Sequence, residues 1–193
     1  MHTWLPDAHS EAPSPASALL SGALLNCAFL GVYRAHKLLY AAGLGDYSSN
    51  ILIGFGLVSM LVAAIFIYNQ SGYKRMLAYS SIAQIGYMLL GISLLTETGL
   101  TAAIAHMFNH GITKAALFMG VGALVLKAGG SFYDRIEGMG KIMPWTSAAI
   151  VIGGLSLIGV PGTAGFISKL VLVEASIEKG WWPVAVLIVL KNS

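Results

Sequence analysis

Charge is what this sequence has least of. Eleven Lys and Arg and eight Asp and Glu make up 10% of its 193 residues, where a soluble domain carries about 25%. That scarcity excludes an ordinary soluble domain, and a net charge of +3, dispersed along the chain, excludes a nucleic-acid partner. Cysteine is nearly absent: Cys27 stands alone in an apolar segment, so no disulfide framework or metal-thiolate site exists. The sequence also lacks a Walker loop, a dinucleotide fingerprint, a Cys-rich cluster and a catalytic-triad signature. No cofactor, no metal and no redox or hydrolytic centre is therefore expected on this chain. Its first residues are acidic and Pro-rich, without the basic stretch that opens a secretory signal.

What is present is apolar. Hydrophobic residues make up 56% of the chain and the mean hydropathy is +0.76, the composition of an integral membrane protein. The apolar segments are long and separated by short polar breaks, which fits spanning helices and not the alternating pattern of a barrel. Residues 1–15 read as an interfacial loop or broken helix. Spans are expected over 15–40, with Ser14 or Pro15 at its start, then 51–68, 75–95 and 100–126. The stretch 144–176 is too long for one straight span and is split by Gly159-Val160-Pro161-Gly162-Thr163, where a proline removes a backbone donor. A last segment begins at the interfacial Trp181-Trp182-Pro183 and is too short to cross a core of about 30 Å. The expected fold class is an all-α polytopic transmembrane helix bundle of about five spans plus a stub, with one broken helix, as a single membrane domain over 1–193. The N-terminal loop, Lys74, Arg75 and the polar segment 127–143, with Asp134 and Arg135, fall on one side of the membrane. More Lys and Arg make that side cytoplasmic.

One helix carries an unusual file. His106, His110 and Lys114 lie at i, i+4 and i+8 in the apolar run 100–126, and each step drifts only about 40° around a helix. A lysine at the centre of a span costs roughly 2.5–3.5 kcal/mol on insertion scales. Snorkelling to the interface would require a place near a helix end, which Lys114 does not have. A lysine taken out of water can lose and regain its proton as nearby charges change. The histidines admit three readings: neutral rings satisfied by neighbouring helices, members of a proton path with Lys114 passing a proton through both nitrogens, or metal or haem ligands. An i, i+4 pair needs a third ligand for zinc, no acidic residue lies within the run, and His2, His9 and His36 stand near span ends. Lys169 lies eight residues past Pro161, about 12 Å along a helix. Broken helices at mid-membrane are where transporters place ion-handling groups, and interfacial placement is the alternative. Glu174 is a possible partner, though its i+5 spacing is imperfect. Lys74 and Arg75 read as solvated loop charges.

Four strings together resemble one family: His2-Thr3-Trp4-Leu5-Pro6-Asp7-Ala8-His9 running on to Ala12-Pro13-Ser14-Pro15, then Lys74-Arg75-Met76-Leu77-Ala78-Tyr79-Ser80-Ser81-Ile82-Ala83-Gln84-Ile85-Gly86-Tyr87, then the His106/His110/Lys114 helix, then Gly162-Thr163-Ala164-Gly165-Phe166-Ile167-Ser168-Lys169. They look like the proton-conducting antiporter-type subunits shared by respiratory complex I, Mrp-type sodium/proton antiporters and membrane-bound hydrogenases of the hydrogenase-4 type. The resemblance implies a parent of about fourteen helices in two inverted repeats, of which this chain is a middle-to-late fragment. By motif position, Lys114 is similar to the central lysine of the second half-channel, His106 and His110 flank it, and Lys169 matches the ionisable residue of the second broken helix. Ser21 and Asn26 stand where many relatives carry a titrating link to the first half-channel.

The expected function is a proton-translocating multi-pass subunit, with sodium exchange open, of an Mrp-type antiporter, NADH:quinone oxidoreductase or membrane-bound hydrogenase in a prokaryotic cell (inner) membrane. Its partners would be other membrane subunits of the same complex, the lipid bilayer and protons. The alternatives are a haem- or quinone-binding membrane anchor and an inactive structural fragment.

Overall fold

The computed structural model describes residues 4–130 and 137–190. His2, Thr3, Asp134 and Arg135, all noted above, lie outside the described residues. Every regular element among the described residues is helical.

Helix α1, Trp4–Glu11, precedes the first span and buries Leu5, Pro6 and His9. Pro13 caps the next helix, and a proline at its first turn costs nothing there because that N–H has no intrahelical partner. The first span is one rod, Ser14–Ala41, made of α2 (Ser14–Leu19), a π-helical turn (Leu20–Leu24) and α3 (Leu25–Ala41). Gly22 in that turn meets Gly111 of a later helix so closely that a Cβ on Gly22 would lie 3.0 Å from the Gly111 carbonyl oxygen. Small residues of this kind let membrane helices touch where no water-driven force presses them together.

Helix α4 is Gly45–Ile67. The span expected from residue 51 therefore starts six residues earlier, inside a stretch whose Gly, Asp, Ser and Asn suggested a turn. These residues open the helix instead: Asp46 sits in the positive first turn, and the Ser48 hydroxyl donates to Gly45 O at 2.9 Å. Ser48 is also bonded to His36 Nδ1 at 2.8 Å, and Ser49 donates to the Ser93 carbonyl, so polar residues tie three span ends together.

Helix α5, Tyr73–Ser93, is the enclosed axis of the bundle, with its whole C-terminal half from Gly86 to Ser93 buried. At the start of α5, Lys74 is half-buried and Arg75 remains exposed. Lys74 Nζ donates to Ala12 O at 3.0 Å and Arg75 pairs with Asp7, clamping α1 and its following turn onto the start of α5. Helix α6, Glu97–Ala128, runs 32 residues from the Thr96 cap, which accepts from Gly99 N, to the left-handed Gly129. Its midpoint carries the histidine–lysine file.

After the short α7, Met139–Ile142, the broken helix appears where proline and glycine put it. Helix α8, Pro144–Ile158, ends at Gly159 with φ of 89°, and α9, Ala164–Glu178, begins after the Thr163 cap. No residue of α8 is fully buried, whereas α9 packs on α6 and buries Ser168, Lys169 and Leu172. Helix α10 is Trp182–Leu190. Among the described residues four helices are long and apolar enough to span: Ser14–Ala41, Gly45–Ile67, Tyr73–Ser93 and Glu97–Ala128, with Pro144–Ile158 a shorter apolar helix.

Candidate functional site

The i, i+4, i+8 file faces inward as its spacing requires. His106 is 4% exposed, and His110 and Lys114 are fully buried. The Lys114 amine donates to Leu77 O at 2.6 Å and to Ser80 Oγ at 2.5 Å, both on α5, with the Phe118 ring centroid 6.0 Å away. An ammonium solvated by a carbonyl, a hydroxyl and an aromatic face has no carboxylate to fix its charge, so its protonation follows its surroundings.

Lys169 sits six residues into α9 and reaches back across the break. Its amine donates to Leu157 O at 2.7 Å and Ile158 O at 2.9 Å, and lies 5.1 Å from the Tyr87 ring centroid. The last carbonyls of a helix lack intrahelical donors and carry its negative dipole end. Breaking the span at Gly159 thus builds a cation seat inside the bundle. Glu174 is not brought into that seat: it is exposed and lies about 140° around α9 from Lys169.

Two neutral residues join the histidine file to this seat. Gln84 Oε1 lies 2.7 Å from His106 Nε2, and Gln84 Nε2 donates to Leu157 O at 3.1 Å, the carbonyl that Lys169 also uses. Ser168 Oγ lies 2.9 Å from His106 Nδ1. Tyr87 packs edge-on to His106 with ring centroids 5.8 Å apart. A cavity of about 180 Å³ is lined by Ser80, Gln84, Tyr87, Leu157, Ile158 and Lys169. At about 30 Å³ per molecule it has room for several waters, and it is lined both by Ser80, which seats Lys114, and by Lys169. His110 differs: both its ring nitrogens are buried without a hydrogen-bond partner. Sequence reasoning named the cationic residues and missed Ser80, Gln84 and Ser168. The available signal was that each is a polar residue within a span and within one of the four quoted strings.

On the α1 side, His9 is fully buried and stacks on Phe118 with centroids 4.5 Å apart. Burial, followed by the charges of Lys114 and Lys74, lowers its pKa from 6.5 to about 4. Near the π-helical turn, Asn26 Nδ2 donates to Gly22 O at 2.7 Å and Met107 O at 3.3 Å. Ser21 is hydrogen-bonded to Ser81 at 3.0 Å. Among the described residues no group of three His, Cys, Asp or Glu is placed to hold a metal.

An all-helical membrane bundle with two buried lysines, one at mid-span and one capping a broken helix, defines a class of polytopic membrane protein organised around internal charge. The chain belongs to the family described as NADH:quinone oxidoreductase/Mrp antiporter, TM, which matches residues 1–192. It is similar to NAD(P)H-quinone oxidoreductase chain 4 1 of Synechococcus sp. (strain JA-2-3B'a(2-13)), with 38% identity over 170 residues, covering 88% of this chain and 32% of that protein. Hydrogenase-4 component B of Escherichia coli (strain K12) is 34% identical over 181 residues, covering 88% and 27%. Among solved structures, a chain of the membrane-bound sulfane sulfur reductase, an archaeal respiratory membrane complex, superposes with a TM-score of 0.91 at 35% identity, covering 98% of this chain and 39% of that one. A chain of the Mrp complex from Dietzia sp. DQ12-45-1b gives 0.88 at 31% identity, covering 99% and 35%. The chain thus spans about a third of the length of the relatives it matches. Relatives of this kind are parts of multi-subunit membrane complexes.

Proposed function

We propose that this chain is a proton-conducting part of a subunit in a multi-subunit complex of a prokaryotic inner membrane, within the group that includes quinone oxidoreductases, hydrogenases and Mrp antiporters. Residues 1–193 act as one membrane domain. Lys114 and Lys169 are the two proton-holding groups, His106 and His110 shape the field between them, and the Ser80–Lys169 cavity supplies the water over which a proton moves. The observation that carries this reading is the pair of buried amines, Lys114 on a carbonyl and a hydroxyl and Lys169 on two carbonyls, with one hydratable cavity lined by residues of both seats. A charge added at Lys114 disfavours a second charge at Lys169 across a low-dielectric interior, so protonation of one favours release by the other.

Protons suit this site better than sodium. A proton leaves by deprotonating an amine, whereas a sodium ion would meet amines where it needs oxygen ligands. Haem ligation finds less support at His106, because both its nitrogens are engaged by Gln84 and Ser168. The test is the decay of an imposed pH gradient in proteoliposomes holding the chain in its native assembly. Lys114→Ala is expected to slow that decay by about tenfold or more; an unchanged rate would overturn the reading.

A further inference from the structure

The hydrogen-bond ring around His106 has a direction that one atom fixes. A backbone carbonyl oxygen only accepts, so the Gln84 group facing Leu157 O must be the NH₂, which donates at 3.1 Å. The amide oxygen is then turned to His106 Nε2 at 2.7 Å. An amide oxygen only accepts as well, so His106 Nε2 carries the hydrogen. In the neutral ring Nδ1 is therefore the acceptor, and the Ser168 hydroxyl donates to it across 2.9 Å. Turning the amide over would set its oxygen against Leu157 O, and the other neutral tautomer would set a bare Nε2 against the amide oxygen, whereas the Ser168 hydroxyl has a second acceptor in Gly165 O at 3.1 Å. The direction is anchored at the α8–α9 break, because Leu157 O also takes the Lys169 amine.

We propose that Gln84 is a positioning residue that makes His106 a one-sided proton acceptor, loading and unloading at Nδ1, on the side of Ser168. This inference rests on the proton-conducting reading of the site and refines it. The amide oxygen on the Nε2 side has no titratable proton to pass on, so the imidazole does not serve as a wire through both nitrogens. When His106 takes a proton it does so at Nδ1, and the Ser168 hydroxyl turns its own hydrogen to Gly165 O at 3.1 Å and accepts the new Nδ1–H. The imidazolium keeps its Nε2–H on Gln84, and discharge retraces the same bonds. Ser168 adjoins Lys169 in the chain, so the open face of His106 is turned to the same residue pair that holds the break. Protons pass between Lys114 and Lys169 along the cavity, and His106 is a side station that sets the charge beside it.

The test is ¹⁵N solid-state NMR of histidine-labelled protein in lipid, with the His106 signals identified as those lost in His106→Asn. At a pH where the ring is neutral, the wild-type protein is expected to show a protonated Nε2 and a bare Nδ1, favoured by about tenfold or more over the other tautomer. That spectrum needs no variant to fold. Gln84→Leu is expected to bring the two tautomers within about threefold of each other. A wild-type ring protonated at Nδ1, or a Gln84→Leu ring still locked at Nε2–H, would overturn the proposal. If Lys114→Ala abolishes gradient decay but the tautomer prediction fails, this inference falls alone. If the tautomers behave as stated while Lys114→Ala conducts normally, the conducting reading is what fails.

Discussion

Lys114 and Lys169 are both buried lysines seated on backbone oxygen, yet the backbone beneath them differs. Lys114 leans on an intact helix, where Leu77 O is already shared with the Ser81 hydroxyl at 3.2 Å and Ser80 must supply the second contact. Lys169 rests on the frayed end of α8, whose carbonyls have no intrahelical donors to share. An intact span can hold a lysine only by borrowing side chains, while a broken one offers a ready cation seat at its dipole end. The π-helical turn at Leu20–Leu24 provides a third comparison. It distorts a span without cutting it, and the carbonyl of Gly22 is taken by the neutral amide of Asn26, not by a titrating group.

Three changes would sharpen the difference between the seats. The largest effect is expected from acid acting behind the Lys114 seat. His9 ionises near 6.5 when free but near 4 when α1 is docked, so the undocked form binds more protons between these values. Docking stability is intact above pH 6.5 and falls as the pH drops toward 4, by about 3 kcal/mol in all, with no further loss below. Hydrogen exchange of Trp4–Glu11 measured across that window should show the loss, and His9→Phe, which keeps the stack on Phe118, should remove it.

A smaller effect is expected at the break. Gly159 has φ of 89°, and a Cβ there would lie 3.1 Å from Lys169 Cδ and 3.4 Å from its amine. Gly159→Ala combines left-handed strain of about 1–2 kcal/mol with pressure on the Lys169 side chain. It should lower the thermal midpoint and slow gradient decay, whereas Gly154→Ala, in open space on α8, should do neither. The smallest effect is expected from Ser80→Ala. It removes one contact of the Lys114 amine and leaves Leu77 O in place, costing about 1–2 kcal/mol, and its mark should be a shifted pH profile of conduction more than a lost fold.

The distribution of charge explains how much could be read from the sequence. Proline and glycine at 159–162 placed the break correctly, because backbone chemistry there is local. The spacing of His106, His110 and Lys114 placed their common face for the same reason. The start of α4 was misplaced because Ser48 and Ser49 look like turn residues until their partners, His36 and the Ser93 carbonyl, are known. The contacts of Lys74 and Arg75 with α1 are not legible in the sequence, because Asp7 and the Ala12 carbonyl are more than sixty positions away in the chain; Arg75 is solvated, as the sequence suggests. Gln84 and Ser168 carry no charge and no spacing rule. Their part emerges only when α5, α6 and the α8–α9 break meet around His106.

The most direct test of the central claim, that the two lysines hold protons in series, is gradient decay in proteoliposomes carrying Lys114→Gln, Lys169→Gln and both together. The account predicts that each single change slows decay by about tenfold or more and that the double change is no slower than the worse single one. Losses that multiply, or a Lys169→Gln protein that conducts like the wild type, would contradict it.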